Sequence, residues 1–376
     1  MPVHFKPSTA LTLGVEVEVQ LIDWRTHDLC PAAPRILQRL GGESDRIKAE
    51  IFQSMLEVNT GICHNVSEVQ RDLESAFSRL REAAVAVDVE LAVAGTHPFA
   101  RYDQRVLFPG ERYRYLLEFR QWFARRLLIF GQHVHVGMRD GDHAIAMMNA
   151  ALPYLPYLLA LSASSPFWQG EDTGLSSVRS AIFESVPNAG APSLFSTWQE
   201  FTHFHDILTA SHSIESFKDL WWDLRPSPGY GTLEVRIFDG LPSLREMTAC
   251  VALTQCLFGW LDAQYLDGRR FPPPALWSYR ENKWRAVRWG PQADLITSEA
   301  GQARPFREIM DDLLQQLEPV AARLGCSVEL KRVDEMLRKG GSAARQRACH
   351  HRLHSMGALV ELLVAELKAE VPARAA

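Results

Sequence analysis

The stretch Leu11-Thr-Leu-Gly-Val-Glu-Val-Glu-Val-Gln-Leu-Ile22 alternates between apolar and other side chains. Val15 and Val17 belong to the apolar set, and Glu16 and Glu18 occupy positions between its members. A period of two predicts a β-strand with one face buried in a core. The two carboxylates then emerge side by side on the opposite face of that strand.

Two later segments repeat this alternation, with ionisable residues two positions apart and apolar residues between them. Each is expected to rest on a core through one face and to carry charge on the other. They are Gly131-Gln-His-Val-His-Val-Gly137, with His133 and His135, and Gly231-Thr-Leu-Glu-Val-Arg-Ile-Phe-Asp239, with Glu234 and Arg236.

Long helical patterns separate and follow these strands. Asn65 can cap an amphipathic helix, and residues 111–130 show a helical pattern in which Phe119 and Trp122 suit a core. Strands mixed with long helices, without regular βαβ alternation, predict an α+β fold with an antiparallel sheet. We expect one domain over residues 1–376, with residues 242–376 as its mainly helical part.

Composition and charge exclude several classes of protein. The chain has 376 residues and a net charge of −5, so it lacks the basic surface that nucleic-acid binding requires. Six cysteines without a CxxC pair, together with a start that does not resemble a signal peptide, predict reduced thiols and a cytoplasmic protein. Neither a P-loop nor a GxGxxG motif is present.

One uncharged stretch, from Ala144 to Gly170, is long enough to suggest a membrane span. Three prolines interrupt it, the first at Pro153. We therefore predict a buried helix that breaks near Leu152, and no membrane association.

The ionisable faces of the three strands carry carboxylates and imidazoles, with a single arginine, rather than the usual surface mixture. Carboxylates that converge on one site repel each other unless a cation lies between them. Oxygen ligands with one or two histidines favour Mg²⁺, or alternatively Mn²⁺, over Zn²⁺. Since carboxylate-held Mg²⁺ commonly bridges nucleotide phosphates, the pattern predicts an ATP site.

A second acidic pair lies in the segment from Lys48 to Gly61. Glu50 and Glu57 are seven residues apart, which on one regular strand would place them on opposite faces. Both can reach one site only if a bulge or bend intervenes, and exposure of Glu50 to solvent is the alternative.

Taken together, these motifs resemble the bacterial carboxylate–amine ligase family, glutamate–cysteine ligase type 2. Its catalytic sheet is similar to that of glutamine synthetase, which implies a curved antiparallel sheet with helices packed on its outer face. The matching segments are the acidic strand, Leu56-Glu-Val-Asn-Thr60, Gly131-Gln-His-Val-His135, Asp172-Thr-Gly174 with Arg179, Tyr230-Gly-Thr-Leu-Glu-Val-Arg-Ile-Phe-Asp239 and Glu281-Asn-Lys-Trp-Arg-Ala-Val-Arg288.

The resemblance implies a set of roles for individual residues. One metal group would be Glu16, His133 and Glu234, and a second would be Glu18, Glu57 and Glu50. His135 would face the nucleotide phosphates, and Arg236 the transferring phosphoryl group. Arg236 and Glu57 are the expected catalytic residues, and Arg179 and Arg225 the expected substrate-binding residues.

The implied reaction is an ATP-dependent joining of a carboxylate, such as glutamate, to an amine, such as cysteine, through an acyl phosphate. Two other functions stay open at this point: an ATP:guanidino phosphotransferase, and a nucleotide or amino-acid sensor without catalysis. The side chains that choose the amine are expected on loops that the motifs do not cover. Exposed edges of an antiparallel sheet are compatible with a homodimer.

Overall fold

A computed structural model of the protein describes residues 3–371. Thirteen strands occur within this range. They are β1 (Leu13–Asp23), β2 (Ile47–Ala49), β3 (Met55–Asn59), β4 (Val89–Ala92), β5 (Gly131–Gly137), β6 (Phe167–Trp168), β7 (Glu171–Asp172), β8 (Ala189–Gly190), β9 (Trp221–Trp222), β10 (Leu224–Ser227), β11 (Thr232–Asp239), β12 (Asp294–Ile296) and β13 (Ala303–Pro305).

Fourteen α-helices lie between and after these strands in the described part of the chain. They are α1 (Ala33–Leu40), α2 (Val66–Val85), α3 (Glu111–Arg120), α4 (Trp122–Arg125), α5 (Gly141–Ala151), α6 (Leu155–Ser162), α7 (Val178–Glu184), α8 (Trp198–Ala210), α9 (Leu244–Leu266), α10 (Leu276–Trp289), α11 (Phe306–Leu324), α12 (Ser327–Arg338), α13 (Gly341–Leu353) and α14 (Met356–Lys368).

Seven strands form the main sheet, in the order β10-β11-β5-β1-β3-β2, with β4 also paired to β1. Every pairing in this sheet is antiparallel. Helices α2, α5, α6 and α9 contact one face, where the valines of β1, β5 and β11 are buried in the largest apolar cluster. The predicted α+β fold, with an antiparallel sheet and helices on one face, is confirmed.

The acidic strand lies near the middle of the sheet. Val15, Val17 and Val19 are almost completely buried on the helical side, because alternate residues of a strand point to opposite faces. Glu16 and Glu18 are therefore directed to the other face, which the helices behind the sheet leave free. Period two along one strand thus fixes which side of the sheet becomes the site.

The uncharged stretch is a core helix with a break, as predicted. Helix α5 ends at Ala151, a 3₁₀ turn covers Leu152–Tyr154, and α6 continues to Ser162. The whole segment 141–162 has the length and hydropathy of a membrane span, but 78% of its most apolar window is buried inside the protein. It belongs to the core of the fold.

The long helix expected over residues 111–130 is wrong in two respects. Gln121 has a φ of 50°, which ends α3 and starts the short α4 at Trp122. Phe119 and Trp122 are about half exposed and lie outside the core. The break at Gln121 divides what the sequence pattern treated as one apolar stripe, so the pattern overestimated the burial of Phe119 and Trp122.

Residues 242–371 are mainly helical and also contain the small β12–β13 ladder. Helices α11 and α12 contact α9, and α10 contacts α6, so this part covers the helices behind the sheet. The number of domains in the chain stays a prediction.

Candidate active site

The register of the sheet places the ionisable residues of four strands next to each other. Glu16 pairs with His133 across β1 and β5, and Glu18 pairs with Glu57 across β1 and β3. The next strand, β11, sets Glu234 opposite His135. Directly opposed side chains on one face of an antiparallel pair lie within about 5 Å of each other, so four separate segments form one cluster.

The centre of this cluster is Glu16. Its Oε2 lies 3.2 Å from His133 Nδ1, and its Oε1 lies 3.5 Å from His135 Nε2. Burial opposes ionisation of Glu16, but the hydrogen bonds and charges of the two imidazoles outweigh it and hold its pKa well below the usual range. His135 also contacts Thr232 through Nδ1 at 2.8 Å, which fixes the plane of its ring.

Glu234 is held by two guanidinium groups. Arg225 donates to its Oε2 through Nη2 at 2.7 Å and Nε at 3.1 Å, and Arg236 contacts its Oε1. Burial opposes ionisation, yet the charges of these arginines keep the pKa of Glu234 well below its ordinary value. The carboxylate is therefore a preorganised anion, and His133 Nδ1 lies 4.0 Å from it.

The second acidic group lies beside the first. Burial raises the pKa of Glu57 to about 7, with a further contribution from the charge of Glu16, and burial also raises that of Glu18. Glu57 accepts a hydrogen bond from Asn59 at 2.9 Å. Buried carboxylates with raised pKa values are typical of a site that holds a cation when it is loaded.

Glu50 reaches the same cavity, so the alternative of a solvent-exposed Glu50 is wrong. The required bend is the turn between two strands, not a bulge. Residues 47–59 form a hairpin of β2 and β3, in which Lys48 lies opposite Glu57. Glu50 follows Lys48 by two positions and points to the same side. Burial raises its pKa well above the usual range, and the charges of Glu57 and Glu18 add to this effect.

Arg179 approaches the sheet from α7. Its guanidinium is buried, with Nη1 4.0 Å from Asp239 and Nη2 3.3 Å from the carbonyl oxygen of Arg236. Gly131 makes room for it, because a Cβ at that position would overlap Nη2. Asp239 in turn accepts hydrogen bonds from three buried serines. Ser164 and Ser165 follow α6, and Ser177 caps the N-terminus of α7.

All ten residues predicted for the site line one cavity of about 410 Å³. They are Glu16, Glu18, Glu50, Glu57, His133, His135, Arg179, Arg225, Glu234 and Arg236. Which of them bind metal, nucleotide or substrate stays a prediction.

Three residues that line the cavity were not predicted from the sequence. Phe183, one turn after Arg179 on α7, lies under both guanidinium groups, 5.6 Å from that of Arg179 and 5.9 Å from that of Arg236. Lys218 and Trp221 also line the cavity. The only signal for Phe183 was its helical spacing from Arg179, and an apolar residue at that spacing usually belongs to a core.

The residues fit the predicted metal. One ligand atom from each of Glu16, His133 and Glu234 lies within 4.8 Å of the other two. His133 Nδ1 is the ring nitrogen beside both carboxylates, and Nε2 is buried without a hydrogen-bond partner in the described residues. Two carboxylates and one imidazole form a donor set that suits Mg²⁺ or Mn²⁺.

The fold and this cavity define a class of enzyme built on an antiparallel sheet, with an acidic, arginine-flanked site on its free face. The chain matches the model of the family described as "Glutamate-cysteine ligase family 2(GCS2)" over residues 12–364. It belongs to this family, and it is accordingly an ATP-dependent carbon–nitrogen ligase.

Its relatives match it over almost their full length. It is 44% identical to a Thermobifida fusca protein named "Putative glutamate--cysteine ligase 2", over 99% of this chain and 95% of the relative. It is 45% identical to a Bdellovibrio bacteriovorus protein of the same name, over 96% of each chain.

Two solved structures share the fold. The glutamate–cysteine ligase of Francisella tularensis in complex with AMP matches with a TM-score of 0.60 and 13% identity, over 98% of this chain and 95% of that one. The bifunctional glutathione synthetase of Pasteurella multocida gives a TM-score of 0.64 and 15% identity. The match covers 96% of this chain but only 52% of the synthetase, so the chain spans about half of that enzyme.

Proposed function

We propose that the protein joins the side-chain carboxylate of glutamate to an amine, with cysteine as a candidate amine, at the expense of ATP and through an acyl phosphate. The observation that carries this proposal is the meeting of Glu16, His133 and Glu234 with Arg236 in one cavity, next to a second acidic group. The names of the relatives support glutamate and cysteine as substrates.

The residues of the chain divide the work by position. Glu16, His133 and Glu234 would hold one Mg²⁺, and Glu18, Glu50 and Glu57 a second. Bound Mg²⁺ supplies charge neutralisation for the triphosphate and the transferring group. His135 lies next to Glu16 and would contact phosphate oxygens. Arg236 presents a planar donor set that suits a phosphoryl group better than an ammonium would.

In the reaction, a carboxylate oxygen attacks the γ-phosphorus, and the bond from that phosphorus to the bridging oxygen of ADP breaks. The amine then attacks the acyl carbon, phosphate leaves, and the amine nitrogen loses a proton. The acyl phosphate must be shielded from water. Helix α3 contributes Arg112 and Tyr113 to the lining of the cavity, and this helix would help to exclude water.

The two arginines expected to bind substrate differ in their contacts. Arg179 keeps Nε buried and without a partner among the described residues, so it retains a donor for a substrate carboxylate. Arg225 donates to Glu234 and, through Nη1, to the carbonyl oxygens of Phe217, Lys218 and Leu220 at 3.1–3.4 Å. We propose that Arg225 mainly orients Glu234, and its direct contact with substrate stays a prediction.

The test is ADP release with Mg²⁺, ATP, glutamate and a panel of amines that includes cysteine, followed by mass spectrometry of the products. Glutamate-dependent ADP together with a γ-glutamyl amide supports the proposal and identifies the amine. A stable phosphorylated product without an amide favours the guanidino phosphotransferase. Tight binding of Mg·ATP without ADP release for any pair of substrates favours the sensor.

We further propose a cytoplasmic location, where glutamate and ATP are abundant.

A further inference from the structure

A buried lysine lies behind the two arginines of the site. Lys283 on α10 is 2% exposed, and its Nζ lies 2.7 Å from Asp223 Oδ2 and 3.3 Å from Glu184 Oε2. The hydroxyl of Tyr279, one turn earlier on α10, donates to the same oxygen of Asp223. A buried ammonium needs such partners, and none of these four residues lines the cavity.

Asp223 connects this group to Arg236. The backbone N–H of Arg236 donates to the carbonyl oxygen of Asp223 at 2.8 Å. Arg236 lies where the pairing of β11 with β5 shifts register, between Val235 and Phe238. Its peptide N–H is therefore held by Asp223, between β9 and β10, rather than by the regular ladder with β5.

Glu184 connects the same lysine to Arg179. Glu184 and Arg179 both lie on α7, a helix of only seven residues. Phe183 of the same helix lies under the guanidinium groups of Arg179 and Arg236. Arg179 in turn donates to the carbonyl oxygen of Arg236. One ammonium thus bridges Asp223, which holds the backbone of Arg236, and the helix that carries Arg179.

We propose that Lys283 is a positioning residue for the ligase reaction, which sets Arg236 and Arg179 relative to each other and to the metal ligands. It does not line the cavity and acts only through Asp223 and Glu184. A displacement of the arginines by about 1 Å is enough to lower the rate of phosphoryl transfer by a large factor. The effect of Lys283 on the reaction rate rests on the proposed function. Its effect on the backbone of Arg236 does not.

The chain offers a matched control. Arg345 on α13 is also a mostly buried cation between carboxylates of two elements, 2.9 Å from Glu246 on α9 and 3.0 Å from Glu366 on α14. It does not line the cavity. Lys283→Met and Arg345→Met each remove one buried cation, so both should lower the melting temperature.

The first measurement is hydrogen–deuterium exchange of the peptide that contains Arg236, without any substrate. We expect at least tenfold faster exchange in Lys283→Met at a temperature where both variants are folded, and wild-type exchange in Arg345→Met.

The second measurement is turnover with the substrate pair that supports ADP release in the wild type. Lys283→Met should lower kcat at least tenfold and change the dissociation constant of Mg·ATP less than threefold, whereas Arg345→Met should keep wild-type kcat.

Equal exchange of this peptide in the two variants would overturn the proposal, as would wild-type kcat in folded Lys283→Met. If Lys283→Met does not fold, Tyr279→Phe is measured instead, because it removes one hydrogen bond to Asp223 and leaves the charges in place. It should accelerate the same exchange and lower kcat several-fold, and wild-type values for both would overturn the proposal. A wild type that releases no ADP would contradict only the proposed function, since the exchange experiment is independent of turnover.

Discussion

Glu16 and His133 face each other across β1 and β5, and Glu16 Oε2 lies 3.2 Å from His133 Nδ1. The two residues are 117 positions apart in the chain, and only the strand register brings them together. A slip of one residue would turn one of the two side chains into the apolar core. The buried valines next to Glu16 and His133 fix the register of these strands, and this register brings the two ligands together.

Substitution of Glu16 by Gln should abolish turnover with little effect on folding. The side chain is 24% exposed and its removal leaves no apolar cavity, but an amide is a poor ligand for Mg²⁺. We expect at least a hundredfold lower ADP release and much weaker Mn²⁺ binding, measured by electron paramagnetic resonance. Glu299→Gln, on an exposed turn, serves as the control and should behave as wild type. Wild-type Mn²⁺ affinity in Glu16→Gln would contradict the metal site.

Gly131→Ala should displace Arg179. A Cβ at this position overlaps the guanidinium, which cannot move freely because it is buried between β5 and α7. We expect at least tenfold lower kcat/KM for glutamate. Gly14→Ala is the matched control on the neighbouring strand, since its Cβ would meet the nearest atom, the Cβ of His135, at an ordinary 3.5 Å. Equal kinetics for the two variants would show that Arg179 is dispensable.

Arg236→Lys should separate binding from chemistry. A lysine keeps the positive charge beside Glu234 but lacks the planar pair of donors. We expect the dissociation constant of Mg·ATP to change less than fivefold and the single-turnover rate of ADP formation to fall at least a hundredfold. Rapid-quench kinetics on the variant and on the wild type measures both quantities. Parallel losses in binding and rate would assign Arg236 to ground-state binding instead.

A cluster outside the site predicts a pH dependence of stability. Asp262 lies 2.7 Å from Arg139 Nη2 and 2.9 Å from His143 Nε2. Burial opposes its ionisation, but the hydrogen bonds from these two residues keep the pKa of Asp262 well below its ordinary value. A depressed pKa in the folded state stabilises the protein above the unfolded pKa, and this contribution is lost as the pH falls toward the folded value.

Asp262→Asn should therefore lower the free energy of unfolding by roughly 2–3 kcal/mol at pH 7. The difference from wild type should shrink below a pH of about 4, the ordinary pKa of an aspartate, because the wild-type carboxylate then loses its advantage. Urea denaturation at several pH values provides the measurement. Asp267→Asn, at the exposed C-terminal end of the same helix, is the control. A difference that does not vary with pH would contradict the ion-pair explanation.

The sequence predicted the strands that carry ligands better than the segments around them. Strict alternation identified β1, β5 and β11, because a strand with one buried face has no other way to arrange its side chains. It failed over residues 111–130, where the left-handed Gln121 divides the helix and leaves Phe119 and Trp122 half exposed. Apolar composition alone cannot tell a rim segment from a core helix.

The position of Glu50 could not be derived from spacing. Its distance of seven residues from Glu57 suggested opposite faces, whereas a hairpin between β2 and β3 returns the chain and restores the same face. Turn geometry decides such cases, and nothing in the segment between the two strands identified the turn. Similarly, the contacts of Arg225 with Glu234 depend on the β10–β11 pairing, which sets the two residues directly opposite each other.

The amino-acid sequence by itself determined which side chains share a face within each strand, and hence the carboxylate and imidazole character of the site. Local periodicity carries this information, because side-chain direction along a strand depends only on the parity of the position. Only the tertiary structure decided which strands are neighbours, in what register, and which buried groups stand behind the ligands. Register and packing arise from contacts between residues as distant as Asp223 and Lys283, and no local pattern encodes them.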